Sequence, residues 1–353
     1  MGWAVLQMGI RIHKEDIGKE DYEIFVLGGD VGGTHTNIAV AGVKNDDITL
    51  LYSAHFESQK LDSLAPAVQQ TLEYGRDKYG INVERGCVGV AGAVTNCKLA
   101  KLTNVPWNVD AETIKKDAEL TEFHIINDFQ IIGYGIDSLQ EDDVYEAKKG
   151  ALGLRETRAV IGAGTGLGKA VLVYDGKRYI PVSSEGGHGD FPVHDEFDFE
   201  LVEHIQGERK TPVSYEDVLS GRGIKRIYEF LKEKYGKTEY CKEIEDAKDK
   251  AALISKYRYR DKLCNETFRI YAKYYGRCAK NYVLDTLATG GLYIAGGIAS
   301  KNRDIFVSPE FQEEFLKAEK QRHVLERTPV YVIINYDVSL YGACNAALSG
   351  CDL

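Results

Sequence analysis

Residues Ile24 to Val43 read IFVLGGDVGGTHTNIAVAGV, and this stretch decides the fold. Ile24 to Leu27 is an apolar run of β-branched, aromatic and aliphatic residues. Asn37 to Val43 alternates in the strand period, with Ile38 and Val40 on one face and Ala39 and Ala41 on the other. The connection, Gly28-Gly29-Asp30-Val31-Gly32-Gly33-Thr34, predicts a strand, a tight turn and a second strand. Glycines there permit positive φ and keep side chains away from an anion approaching the amides, so a phosphate fits. Asp30 falls at the end of the first strand, where a carboxylate reaches a magnesium ion, usually through a water that the ion is slow to release. The competing reading is an ordinary glycine-rich hairpin with an Asp in its turn.

A second segment weighs against that. Val160 to Ala170, VIGAGTGLGKA, again sets a glycine-rich turn (Gly162 to Gly168) between an apolar strand and another. It is not a Walker loop, because Lys169 is followed by Ala170, and the run from Ala170 to Tyr174 reads as strand rather than the helix of a Rossmann unit. Two such loops roughly half a chain apart predict two similar α/β halves, each presenting a hairpin to one nucleotide.

Composition narrows the function classes. The chain has 353 residues, enough for two domains with cores, an apolar fraction of 44% and a net charge of -10. Such acidity argues against sequence-independent binding to nucleic acid or anionic membranes. No apolar run approaches the roughly 20 residues of a membrane span, and the start is too charged for a secretory signal, so a cytoplasmic protein is expected. Seven scattered cysteines without a CxxC pair indicate neither a zinc site nor a disulfide framework.

Working outward, Met1 to Glu23 reads as an arm of uncertain order. Ile48 to Phe56 is a third strand, and Asp62 or Ser63 caps a helix that Gly80 ends. Cys87 to Val94 is a buried strand, Asp110 opens a short helix, and Phe123 to Ile126 is a strand that delivers Asn127-Asp128. In the second half, strands start at Ala159, Ala170 and Arg178, followed by helices from Glu196, Tyr215 and Gly223. Lys232 to Lys256 reads as a solvated helical face. Leu263 to Leu287 is helical, Leu292 to Ala295 and Pro329 to Asn335 are strands, and Ser339 to Leu348 is a closing helix.

Asn127-Asp128 is the candidate reacting pair, since ligands of an open α/β sheet collect at the carboxyl ends of strands. A carboxylate there accepts the proton of an attacking hydroxyl, and phosphoryl transfer otherwise needs mainly positioning and charge neutralisation. The alternative is a helix N-cap. In Ser184 to Asp190, SEGGHGD, Glu185 and His188 turn toward one small polar ligand or serve only structure. Glu216 is a further candidate, or a first-turn acid favoured by the helix dipole.

Taken in order, GDVGGT (Gly29 to Thr34), LTNVPW (Leu102 to Trp107), IINDF (Ile125 to Phe129), GAGTGLG (Gly162 to Gly168), EGGHGDF (Glu185 to Phe191), VLSGRG (Val218 to Gly223) and IAGGI (Ile294 to Ile298) resemble the bacterial-type ATP-dependent glucokinase family, within the superfamily of sugar kinases, actin and heat-shock chaperone ATPases. The resemblance implies an α/β, two-domain ribonuclease H-like (actin-like ATPase) fold, each lobe with a mixed five-stranded sheet and flanking helices. It implies an arm at 1–23, a small domain at 24–137 completed by the closing helix 336–353, a large domain at 138–335 and an active site in the cleft between them.

The implied reaction is phosphorylation of D-glucose at its 6-hydroxyl by ATP with Mg2+, the entry step of glycolysis. Asp128 would be the general base, and Asn104, Asn127, Glu185, His188 and Glu216 would bind the sugar. Asp30, Gly32, Gly33 and Thr34 would hold magnesium and the outer phosphates. Gly164, Thr165 and Gly166 would meet the phosphates, and Ser220, Gly221, Gly296 and Gly297 would border the adenosine pocket. The family's members are commonly dimers, which implies a homodimer. The chain departs from the family at Gly92-Ala93, where a proline is common. Competing readings are a kinase for another hexose or N-acetylhexosamine, a sugar-sensing regulator, and a nucleotide-driven scaffold.

Overall fold

A computed structural model describes residues 7–102, 105–151, 153–207 and 210–350. The chain divides into two compact units, one of residues 1–140 with 335–353, the other of residues 141–334.

The first unit is built on a six-stranded sheet. Its strands are β1 (Gly9–Ile12), β2 (Ile24–Val31), β3 (His35–Lys44), β4 (Asp47–Glu57), β5 (Arg85–Val90) and, after a small three-stranded sheet of β6 (Val94–Thr95), β7 (Leu99–Lys101) and β8 (Asn108–Asp110), β9 (Glu122–Asn127). The order is β1-β4-β3-β2-β5-β9, antiparallel from β1 to β2 and parallel from β2 to β9. The period-2 alternation works as the residues require. Leu27, Ile38 and Val40 join one apolar cluster with Leu64, Ala67 and Val68 of the α1 (Ala65–Tyr79) side. Val26, Ala39 and Ala41 join another on the opposite face, with Ile131, Leu340 and Cys344. Burying each such aliphatic side chain stabilises by about 1.5–3 kcal/mol.

That second face is covered by α3 (Asp128–Gly135), which comes after α2 (Ala111–Asp117), and by the closing helix Val338–Ser349. The two helices approach so closely that a Cβ on Gly342 would stand 1.6 Å from the Ile131 carbonyl oxygen. Only glycine permits that contact.

Three local expectations change here. The supposed arm carries β1, which pairs with β4 while Met8 and Ile10 pack on the core, so this sheet has six strands and not five. Neither Asp62 nor Ser63 caps α1; Leu64 holds the N-cap position without a side-chain bond, and a proline occupies the first turn. Cys97 stands in a disulfide, whereas Cys87, Cys241, Cys264, Cys278 and Cys344 are free and buried.

The second unit also has a six-stranded sheet, of β10 (Val144–Lys148), β11 (Arg158–Ala163), β12 (Leu167–Tyr174), β13 (Tyr179–Ser184), β14 (Leu292–Ala295) and β15 (Val330–Ile333), in the order β10-β15-β14-β11-β12-β13. Its sixth strand, β10, lies in a charged segment, VYEAK, that shows no strand signal in the sequence. The helices are α4 (Glu196–Gln206), α5 (Tyr215–Val218), α6 (Gly221–Tyr235), α7 (Cys241–Asp246), α8 (Lys250–Tyr257), α9 (Lys262–Thr286), α10 (Gly297–Lys301), α11 (Pro309–Phe315) and α12 (Arg322–Arg327). Helix α9 runs through the core and buries Tyr271, Tyr274, Tyr275 and Cys278. Fully buried Arg277 is held there by Asp198 at 2.6 Å and Glu314 at 2.9 Å.

Candidate active site

In the first unit the parallel strands β2, β5 and β9 end together: Val31 is level with Val90, and Val90 with Asn127. This register brings the turn Gly32–Thr34 and the pair Asn127-Asp128 to one edge of the sheet, as expected for a ligand site at strand ends. The turn is held from behind by Ser58. The Ser58 hydroxyl donates to the Gly32 carbonyl at 2.7 Å, its amide donates to the Thr34 carbonyl at 2.9 Å, and Gln59 Nε2 donates to the Gly33 carbonyl at 2.8 Å. In a trans peptide the N–H points opposite to the C=O, so these contacts turn the Gly33 amide away from Ser58 and the Thr34 amide away from Gln59. Trp107 Nε1 in turn donates to the Ser58 carbonyl at 3.3 Å, tying the Val105-Pro106-Trp107 segment to the same point. Ser58 and Gln59 carry no motif, and nothing in the sequence singles them out.

Asp30 lies at the end of β2 and hydrogen-bonds Ser339, in the first turn of the closing helix. Burial raises its carboxyl above the ordinary value, and the Ser339 bond opposes that. Among the described residues no group of three or more His, Cys, Asp or Glu side chains gathers to hold a metal. A single carboxylate beside amides turned outward from the hairpin suits magnesium, which keeps most of its waters and takes further ligands from substrate phosphates.

Asn127, not Asp128, is the N-cap of α3. Its Oδ1 accepts from the Phe129 amide at 2.8 Å, and its own amide donates to Gln130 Oε1 at 3.1 Å, forming a capping box. Asp128 takes the first helical position, half-buried, and its Oδ1 accepts from the Phe129 amide at 3.1 Å. Asn104 lies outside the described residues.

In the second unit the β11–β12 hairpin closes on itself through Gly164 N–H to the Gly166 carbonyl at 2.8 Å. The Gly164 carbonyl accepts from the Gly221 amide at 2.9 Å, so the hairpin meets the N-terminus of α6, whose N-cap is the fully buried Ser220. A helix start beside a glycine turn concentrates N–H groups and favours an anion. Glu216 ties these parts together. Its Oε2 accepts from the Leu167 amide at 3.1 Å, and its Oε1 pairs with Arg222 Nη2 at 2.8 Å.

A cavity of about 780 Å³ opens beside this junction, lined by Gly164, Thr165, Gly221 and Gly297 among others. Its size lies within the range of ligand pockets. Gly296 and Ser220 do not line the cavity: Gly296 precedes Gly297 at φ +95°, where a Cβ would meet the Ala163 carbonyl at 2.7 Å, and the Ser220 side chain accepts from the Gly223 amide at 3.1 Å. The lining also includes Ile224, Lys248, Lys250, Ser255, Phe268 and Asn302. Lys248 and Lys250 belong to the stretch read as merely solvated; no spacing signal separates them from the other charges there.

Glu185 is the N-cap of a 3-10 turn that ends in His188, and the two exposed side chains are 3.8 Å apart. Backbone bonds from Phe191 to Val213 at 2.8 Å and from Tyr215 to Gly189 at 2.9 Å dock this loop on the entry to α5, the helix that carries Glu216. Beneath it, buried Lys169 lies 4.9 Å from the rings of both Tyr215 and Tyr282.

The sequence profile described as Glucokinase matches residues 27–349. A glucokinase of Trichormus variabilis is 34% identical over 339 residues, covering 91% of this chain and 98% of that protein. Among solved structures, a glucokinase from an Antarctic psychrotroph superposes with a TM-score of 0.80 at 26% identity, over 92% of this chain and 99% of that one. A ROK family glucokinase from Streptomyces griseus, in complex with glucose and AMPPNP, has a TM-score of 0.63 at 16% identity, over 92% of this chain and 100% of that one. No helix among the described residues is long and apolar enough to cross a membrane.

Proposed function

As a member of the glucokinase family, with the actin-like ATPase fold of its structural relatives, the chain is an enzyme that phosphorylates glucose from ATP, and we propose that it does so at the 6-hydroxyl with Asp128 as general base. The observation that carries this reading is the cavity at the junction of the second glycine hairpin with α6, bordered by the glycines that the family's motifs assign to nucleotide.

The sugar's 6-oxygen attacks the terminal phosphorus as the bond from that phosphorus to the bridging oxygen breaks. The Asp128 carboxylate receives the hydroxyl proton, and ADP departs. Positioning and neutralisation supply most of the acceleration in such a transfer. The amides of Gly33 and Thr34 meet the outer phosphates from one hairpin, and Gly164, Thr165 and Gly166 from the other. Asp30, through water, would hold Mg2+, which when bound supplies charge neutralisation at the phosphates.

Asn127 has Oδ1 engaged at the cap of α3, so it meets a sugar hydroxyl through Nδ2. Glu185 and His188 bind further hydroxyls. Glu216 retains spare lone pairs after its bonds to Leu167 and Arg222, and one of them takes a hydroxyl. A cytoplasmic location and a homodimer come with the family reading; cell fractionation and light scattering test them.

The experiment is ADP release from ATP-Mg by the purified protein with glucose, mannose, fructose, galactose, glucosamine or N-acetylglucosamine, beside a control without sugar. Glucose-dependent turnover is expected. Turnover without sugar, or with another sugar in preference, overturns the substrate assignment.

A further inference from the structure

The cavity's polar wall carries a fixed proton order. Asn302 is 4% exposed, and its Nδ2 donates to the Ile298 carbonyl at 2.8 Å. A carbonyl oxygen only accepts, so turning the amide over would face two acceptors; the side-chain orientation is therefore fixed. This leaves Oδ1 toward Ser255, whose Oγ lies 2.6 Å away. Oδ1 also only accepts, so the single hydroxyl proton of Ser255 is committed to it. Ser255 and Asn302 both line the cavity, with Ile224, Phe268 and Ile298 as apolar neighbours suited to a flat ring. What Ser255 can still offer a ligand is lone pairs alone.

Resting on the reading of this cavity as the nucleotide site, we infer that Ser255, oriented by Asn302, is a specificity-determining acceptor that takes a hydrogen bond from the exocyclic amine of a 6-aminopurine and disfavours a 6-oxopurine. An amine at that position donates to the free lone pairs. An oxo group brings another acceptor against an oxygen whose proton points elsewhere, and a buried polar group left without its partner is costly. The Ile298 carbonyl, the Asn302 amide and the Ser255 hydroxyl thus form a relay whose polarity originates in the backbone of α10.

The test compares kcat/KM for ATP and ITP, which differ at the purine 6-position, at saturating glucose. The wild type is expected to favour ATP by at least about tenfold, the worth of one such hydrogen bond. Ser255→Ala should bring the two nucleotides within about threefold, chiefly by losing ATP efficiency, with the KM for glucose unchanged. Asn302→Leu releases the Ser255 proton and should raise ITP relative to ATP, which a merely structural role for Asn302 would not do. If Ser255→Ala keeps the wild-type ratio while the wild type phosphorylates glucose from ATP, the inference fails and the nucleotide site stands. If the wild type shows no ATP-dependent glucose turnover, both fall.

Discussion

Replacing Gly342 by Ala tests how the fold holds the proposed base. The added methyl would lie 1.6 Å from the Ile131 carbonyl oxygen and 2.7 Å from the Gly135 nitrogen. Both are backbone atoms of α3, so no side chain can swing aside. Reaching an ordinary contact of about 3.4 Å requires the two helices to part by about 1.8 Å. Alanine gains about 0.5–1 kcal/mol over glycine within a helix. Overpacking costs about 1–3 kcal/mol, and a clash with backbone atoms falls in the upper half of that range, so the clash wins and a net loss of about 1–2 kcal/mol is expected. For a unit of this size that lowers the thermal midpoint by roughly 2–8 °C.

The larger effect is on chemistry. Ile131 is in the first turn of the helix that begins with Asp128, and a misplacement of about 1 Å at a reacting group costs on the order of a hundredfold. Turnover of Gly342→Ala at saturating glucose and ATP should therefore fall by one to two orders of magnitude at a temperature where circular dichroism shows it folded. Ala346→Gly, a buried position on the same closing helix, loses comparable stability without pushing α3 and should keep its kcat. A kcat for Gly342→Ala within twofold of the wild type, or an equal loss in Ala346→Gly, would refute the reasoning.

Asp128→Ala should lower kcat by about 10²–10⁴, the usual worth of a general base, with glucose binding by calorimetry retained; near-normal turnover removes Asp128 as the base. Glu185→Gln should raise the KM for glucose by roughly tenfold while sparing that for ATP, since one charge-assisted hydrogen bond is weakened; equal shifts in both would take it out of the sugar site. The network around Arg277 makes stability fall in acid. Burial and the neighbouring Arg277 hold His194 below its ordinary 6.5, with Glu314 opposing. Burial alone would raise Glu314, but its hydrogen bond and charge contact with Arg277 outweigh that and lower it below 4.5. Both groups bind protons more readily when unfolded, so their contribution is full above the unfolded values and is lost as pH falls, His194 first below about 6.5 and Glu314 below about 4.5. Urea midpoints measured from pH 8 to 4 should decline in that order, and a flat profile would contradict it.

Much of this was legible because it rests on local rules. The two glycine hairpins, the alternation of Ile38 and Val40 against Ala39 and Ala41, the strand that delivers Asn127-Asp128 and the long helix α9 come from periodicity and turn chemistry within a few residues. The N-cap reading falls on Asp128, one residue late, because either side chain can accept from the first turn and Asn127 is the one that does. What stayed hidden depends on partners far along the chain. Strand β1 has a pairing edge only because β4 offers one. Ser58 matters through Gly32 and Thr34, and the wall formed by Ser255 and Asn302 joins positions 47 residues apart whose polarity only the Ile298 carbonyl decides.

The chain leaves the first unit after residue 140 and returns to it at residue 335. A ribosome therefore delivers the whole second unit before it delivers the helix that covers Val26, Ala39, Cys87 and Ile131. Until then α3 alone covers that face of the first sheet, and Asp30 lacks the serine that hydrogen-bonds it. During synthesis the order of completion is thus inverted: the domain begun second closes first, and the Asp30 side of the proposed phosphate site is assembled only as the last turns of the protein emerge.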